Sequence, residues 1–495
     1  MKKLSVLLAM ALMLTGIGLI SYAEEEPVTI EFMTSEYVNA PLTDETLTIQ
    51  ALEEALNIHL DLNIAAASTA DYAEKFNLML ASGDYPDIMM ATADLVSPYL
   101  DTGIFLELTE IMPERMPNVY EQVQAYGVLK DITTDDGKLW FIPKLEGSVA
   151  IWEIDWINQD WLDELGLEIP TNTDELYEVL KAFKENKGED CIPLIMGPWS
   201  GKLENFYYAF NTWDTWRMFN EEDGMEYGPY DHAEEMRACL AYLNKLYAEG
   251  LLDNQYLTRD DDSINALISN NQAGYFYAWA DDAARLIEGG TLGVNYSYVD
   301  PLEGPEGYSG WYGCSSVGTR FYINAHSEVL DKVIEMCDYI FSEEGRNLFT
   351  WGVEGVTYNV VDGEKQYVDE IMEYGGGALD GRRQFGMNPV NFLHVSEWEG
   401  WLGVLPEYVT MIAANTADSV APVEPILSST PEEETELANI MTDITKYVDS
   451  QLPLFVNGTL NTEEDFDAFI AQLEDMGILE AKAIKDAQFE RWQNR

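Results

Sequence analysis

Residues Tyr72–Met90, YAEKFNLMLASGDYPDIMM, decide the fold class. Tyr72, Phe76, Met79 and Leu80 recur at helical spacing and share one face, and Ser68 with Asp71 three residues on supplies the start signal. Gly83 stands where a helix end takes a left-handed residue, and Pro86 blocks continuation. Asp87–Met90 then opens a short apolar strand. A helix that delivers a Gly-Asp-Tyr-Pro-Asp turn onto a strand end belongs to an α/β sheet, whose polar rim is where such sheets bind ligands. The upstream sequence agrees. Val28, Ile30 and Phe32 alternate with polar residues as a strand, a helix spans about Asp44 to Leu56, and Ile58, Leu60, Leu62 and Ile64 form a second strand. This alternation predicts a mostly parallel sheet covered on both faces.

The first residues read as an address. Lys2 and Lys3 precede an apolar run from Leu4 to Ile20 that ends in Ser21-Tyr22-Ala23, which predicts a secretory signal peptide over residues 1–23. The chain of 495 residues is too long for one simple domain and predicts two lobes. Its 89 acidic and 27 basic residues give a formal charge of −62, and loss of Lys2 and Lys3 with the signal peptide makes it −64. Such a surface repels nucleic acid and anionic membranes, so neither is a partner. It also disfavours an anionic ligand unless a local basic site receives it. Cys191, Cys239, Cys314 and Cys337 have no metal-site spacing and allow two disulfides in three connectivities. Cys239 and Cys337 fall within helical patterns, where a buried thiol is the commonest state.

The chain has no G-x-S-x-G elbow, no H-E-x-x-H and no P-loop, and its four histidines are scattered. No catalytic residue, metal site or cofactor is predicted, and the chain does not read as an enzyme. Asp260-Asp261-Asp262 lacks the glycine and later glutamate of a calcium loop and reads as solvated. A secreted glycoside hydrolase stays a remote alternative, because paired carboxylates carry no specificity at this composition. An adhesion module for surface glycans is another. The positive signal is aromatic. A sugar ring has an apolar C–H face and a hydroxyl rim, so its site needs flat platforms flanked by carboxylates, amides and arginines. Trp213 in YYAFNTWDTW, Trp311 and Tyr312 in YSGWY, and Trp279 are candidates. Trp279 ends the apolar run from Gly274 and precedes Ala280-Asp281-Asp282, so it should emerge from a strand end at a loop.

Several segments resemble, in collinear order, the extracellular solute-binding proteins of ABC importers, family 1 type. They are SGDYPDI, then DGKLWFIPKLEG from Asp136, then DWLDELGLEIPTNTDELYEVLKAFKENKG from Asp160, with Thr171 and Asp174 spaced as a capping box. YLNKLYAEGLLDNQYL from Tyr242, AGYFYAW from Ala273 and FSEEGRNLFTWGVEGVTY from Phe341 follow, and helices at Thr442–Ser450 and Asp465–Gly477 complete the set. The likeness is to the LplA-like subgroup, related to maltodextrin-binding proteins. It implies an α/β, two-lobed periplasmic-binding-protein-like fold of type II, with a ligand cleft between lobes joined by hinge strands. The first lobe is expected at 24–148 plus about 318–385, and the second at 149–317 plus about 386–495. The crossings are expected near Glu146–Trp152, Val317–Asn324 and Gly375–Val395. The resemblance further implies a monomer that captures an oligosaccharide for the membrane subunits of an ABC permease. A peptide or other small polar solute is the alternative ligand. Asp94 and Glu146 match acidic ligand residues of maltodextrin binders, and Trp279 matches a stacking tryptophan. Leu95 and the Phe141-Ile142-Pro143 sequence depart from that pattern, which argues against a maltodextrin bound in the same way. Leu14-Thr15-Gly16 resembles a lipobox, but Ile17 replaces its cysteine, so the protein is expected to be secreted or surface-associated without that lipid.

Overall fold

The computed structural model describes residues 26–495 apart from 39, 66–68, 148–152, 197–202, 221, 280–293, 311–314, 375–376, 398, 401–402 and 405–423. The predicted signal peptide lies outside the described residues. The chain begins with β1 (Val28–Ser35), the helix Leu47–Leu56 and β2 (Ile58–Ala65). The helix Thr69–Ser82 follows and ends at Gly83, whose φ of 77° only glycine adopts without strain. It buries Tyr72, Phe76 and Leu80 against the sheet and delivers the chain into β3 (Ile88–Met90). Burying a side chain such as Phe76 contributes about 1.5–3 kcal/mol. The chain then reaches β4 (Ile142–Glu146) and crosses to the second lobe.

There it forms β5 (Glu153–Asn158), β6 (Ile192–Leu194), the small hairpin β7 (Trp216–Met218) and β8 (Met225–Tyr227), β9 (Ala273–Trp279) and β10 (Tyr296–Val299). It returns as β11 (Val317–Ile323), makes the hairpin β12 (Tyr358–Val361) and β13 (Glu364–Tyr367), and places β14 (Val395–Ser396) beside β4.

The first-lobe sheet has the order β14-β4-β11-β3-β1-β2. β1 pairs in parallel with β2 and β3, β14 pairs in parallel with β4, and β11 alone runs against its neighbours. The exception has a topological cause. The chain leaves this lobe from the carboxyl end of β4 and returns at the same edge, so the returning strand must run backwards. The second sheet has the order β10-β5-β9-β6. Its core includes Leu240 and Leu243 together with Phe455, Phe469 and Ile478, which assigns the C-terminal helices Pro431–Val456, Phe466–Asp475 and Ile478–Gln493 to the second lobe.

Three expectations need correction. The second crossing precedes Val317, because β11 lies wholly in the first-lobe sheet. The third follows Ser396 instead of falling within Gly375–Val395, since β14 pairs with β4 and Phe392, Leu393 and Val395 join the first-lobe core. The first lobe therefore reaches beyond 385. Its glycine-rich stretch is not a connector. It carries the helix Ala378–Gln384, where a Cβ on Gly381 would come 2.5 Å from the Ile371 carbonyl. The capping box is also displaced by one residue. Asn172 caps the helix Thr173–Asn186 by accepting from the Glu175 N–H at 2.9 Å, and Glu175 in turn holds the Thr171 N–H at 2.9 Å.

The acidic triplet has a structural role, because Asp260 accepts from the Ser263 N–H and caps the helix Asp261–Ser269. Cys191, Cys239 and Cys337 are free thiols, and Cys314 lies outside the described residues. No helix among the described residues is long and apolar enough to cross a membrane.

Candidate ligand cleft

The carboxyl ends of β1, β3, β4 and β14 and the amino end of β11 form one rim of the first lobe. The second lobe begins directly across the crossing, where β5 pairs with β9 so that Glu153 stands opposite Trp279. The crossing therefore runs from the strand-end rim of one sheet to a strand end of the other, and strand ends are where open α/β sheets bind ligands.

A cavity of about 410 Å³ opens at the first rim. Ser35 ends β1 at its wall, Met90 to Ala93 follow β3, and Gly318 to Arg320 begin β11. Tyr72 closes one side, donating its hydroxyl to the Met90 carbonyl and so tying the helix to the strand end. Burial pushes that phenol well above its ordinary range. Asn391 completes the wall. Its Nδ2 donates to the Ser35 carbonyl at 3.3 Å, and its own carbonyl accepts from the Thr34 hydroxyl. A Cβ on Gly318 would lie 3.0 Å from Glu146 Oε1, so a glycine there keeps the rim open.

Arg320 stands at the waist of a longer groove. Its guanidinium lies 4.9 Å from the centre of the Phe141 ring, and its carbonyl accepts the Ala91 N–H at 3.0 Å. Beyond it a chamber of about 150 Å³ shares Arg320 and Ala93 with the first cavity. Trp140, Phe141 and Tyr322 wall the chamber on one side, and Ser428 and Ser429 from the second lobe's C-terminal segment wall it on the other.

The predicted site residues divide into three groups. Asp94 lies in the helix Ala93–Val96 between two cavity-wall residues, Ala93 and Leu95, and Trp279 is the last residue of β9; the side chains of both are outside the described residues. Trp311 and Tyr312 are themselves outside the described residues. Glu146 does end β4 at the rim, but it is not among the residues lining the cavity. Its carboxylate sits 2.8 Å from Lys144 Nζ, which also reaches the Val390 carbonyl.

Trp213 is a core residue in this structure. It is 2% exposed, and its ring centre lies 5.7 Å from that of Tyr207 and 4.7 Å from that of Tyr208. The aromatic run folds onto itself and onto Arg217, whose guanidinium lies 4.4 Å from the same ring. Composition cannot separate such a cluster from a binding platform. Sequence reasoning missed Arg320, Asn391 and Ser35. For Arg320 a signal existed, since it is the single charge in the strand segment VGTRFYI.

A family model described as bacterial extracellular solute-binding protein matches residues 39–347. The fructooligosaccharide ABC transporter substrate-binding protein FusA of Streptococcus pneumoniae is 24% identical over 519 residues, covering 96% of this chain and 92% of that one. The polygalacturonan/rhamnogalacturonan-binding protein YtcQ of Bacillus subtilis is 25% identical over 356 residues, 68% of each chain. The solved structure of an HMO-binding, ABC-transporter-associated solute-binding protein from Bifidobacterium longum infantis has the same two-lobed fold, with a TM-score of 0.76 at 20% identity over 94% of this chain and 99% of that one. The family match spans more than half of the 495 residues, and the chain belongs to the bacterial extracellular solute-binding proteins.

Proposed function

We propose that the protein captures an oligosaccharide outside the cell and hands it to an ABC permease by closing its lobes. The observation that carries this reading is the rim cavity at the strand ends of the first lobe. A ligand held there touches both rims only when the lobes approach, so its binding shifts the hinge equilibrium toward the closed state. In this reading Asp94 accepts sugar hydroxyls from the first rim. Trp279 forms a stacking floor on the second, and Trp311 and Tyr312 extend it. The glycan ligands named for FusA and YtcQ favour a carbohydrate over a peptide. The protein works as a monomer without catalysis or cofactor, is released by cleavage after Ala23, and carries no lipid because Ile17 replaces the lipobox cysteine.

Calorimetric titration against panels of oligosaccharides and peptides, with scattering on the same samples, tests this reading. Saccharide binding with a smaller radius of gyration supports it. Peptide binding alone, or an unchanged radius at saturation, refutes it. Trp279→Ala should weaken saccharide binding by about 1–3 kcal/mol, roughly tenfold to hundredfold. The melt of the free protein should barely move, whereas loss of a core tryptophan would cost about 3–5 kcal/mol. Mass spectrometry of the exported protein should find Glu24 at its N-terminus without an acyl group.

A further inference from the structure

We infer that Arg320 is an anchor for a carboxylate, and that the captured glycan is acidic, carrying uronic-acid units. The inference rests on the proposed capture of a saccharide and concerns which saccharide it is. Acidic residues outnumber basic ones 89 to 27, so an arginine in this chain readily finds a partner. Arg217 faces Glu424, Arg259 faces Asp253, Arg346 faces Glu397, and Arg491 and Arg495 share Asp135. Arg320 has no ion pair and no side-chain hydrogen bond to the described residues, although it is half-buried in a cavity wall. Phe141 flanks the guanidinium and leaves its N–H edges for the cavity.

The rest of that wall supplies hydroxyls and an amide, from Ser35, Thr92, Thr319 and Asn391, and no described carboxylate side chain lines it. A wall of hydroxyls with one arginine fork that pairs with no described residue suits a planar group with two acceptor oxygens. A carboxylate satisfies it through two parallel N–H···O bonds, and a neutral sugar hydroxyl does not. The negative surface does not forbid this. At physiological salt, charges beyond about 8 Å are largely screened, so repulsion acts on the approach of the anion and contact attraction acts at the site.

The experiment uses the mature protein and calorimetry with galacturonate, glucuronate and mannuronate oligomers, each beside its methyl ester, and with neutral fructo- and gluco-oligosaccharides. At least one acid should bind about tenfold to hundredfold more tightly than its own ester, which keeps the shape and loses the charge. Arg320→Gln should abolish that difference. Arg320→Lys should keep part of it, because the charge remains and the fork is lost. The melts of both variants should match the parent, since Arg320 makes no ion pair with a described residue. Stopped-flow association of the acid should speed up with added salt as the long-range repulsion is screened, the reverse of ordinary steering. Binding of neutral saccharides alone, or an acid–ester difference that survives Arg320→Gln, overturns the inference and leaves saccharide capture standing. A folded protein that binds no saccharide of either kind overturns both.

Discussion

Two regions of the molecule, the C-terminal strap and the rim cavity, are built from opposite chemistry. At the C-terminal strap, the guanidinium groups of the contact are paired with carboxylates. Asp135 of the first lobe receives Arg491 Nε and Arg495 Nη2, both at 2.6 Å. Asp131 accepts the Trp492 indole N–H at 3.0 Å, and Lys130 lies 3.7 Å from the centre of the Trp492 ring. Ser97 donates to Glu434 at 2.7 Å. At the rim cavity Arg320 has no ion-pair partner among the described residues. Charges that are paired off hold two bodies in one geometry, while uncommitted donors wait for a ligand. Under the proposed function the strap is the fixed joint and the cavity the mouth.

The largest effect should follow from breaking the joint. Asp135→Ala removes the carboxylate that faces Arg495, whose side chain is 3% exposed, while Arg491 keeps its pair with Glu433. Leaving a buried charge unpaired costs about 3–5 kcal/mol, and the partial exposure of Asp135 puts the loss near the lower end, about 3 kcal/mol. Urea unfolding of the free protein should report that loss while saccharide affinity changes less than threefold. A tenfold change in affinity with little loss of stability would instead make the strap part of the moving mouth.

A second effect separates the regions by pH. His394 is fully buried in the first lobe, where its carbonyl accepts the Leu145 N–H at 3.1 Å. Burial, with the charge of Lys144 beside it, holds its pKa well below the ordinary imidazole range. The unfolded chain therefore binds a proton that the folded one refuses. Stability should fall as pH drops below about 6.5, by at most about 1.4 kcal/mol per unit, and level off once the depressed pKa is passed. His394→Gln should flatten that slope. An unchanged slope would assign the acid sensitivity to other groups.

The smallest effect probes the mouth alone. A methyl at Gly318 would press on the Glu146 carboxylate at 3.0 Å, and a side-chain end can give way by a few tenths of an ångström. Gly318→Ala should cost below about 1 kcal/mol of stability. It should weaken saccharide binding a few-fold by narrowing the rim. A melt that falls as far as that of Asp135→Ala would mean the mouth is packed as tightly as the joint.

Much of this architecture could be read from the chain. The helix with Tyr72, Phe76 and Leu80 on its buried face, the stop at Gly83 and the strand after Pro86 all lie where periodicity and turn chemistry put them. So do β1, β2 and β9, because alternation and apolar runs are local signals. Two neighbouring cap residues, Thr171 and Asn172, are near the limit of such reading, since either can accept from the first turn and only the backbone path selects Asn172.

Sequence by itself therefore determined the fold class and the family, because these rest on short-range patterns repeated along the whole chain. Tertiary structure decided which residues share a wall. Ser35, Ala91, Arg320 and Asn391 are far apart in the chain and meet only because β1, β3 and β11 are neighbours in one sheet. It also turned Trp213 into core and left Arg320 without an ion pair among the described residues. Both outcomes depend on which surfaces are withdrawn from water when distant segments pack, and no local pattern of residue types contains that information.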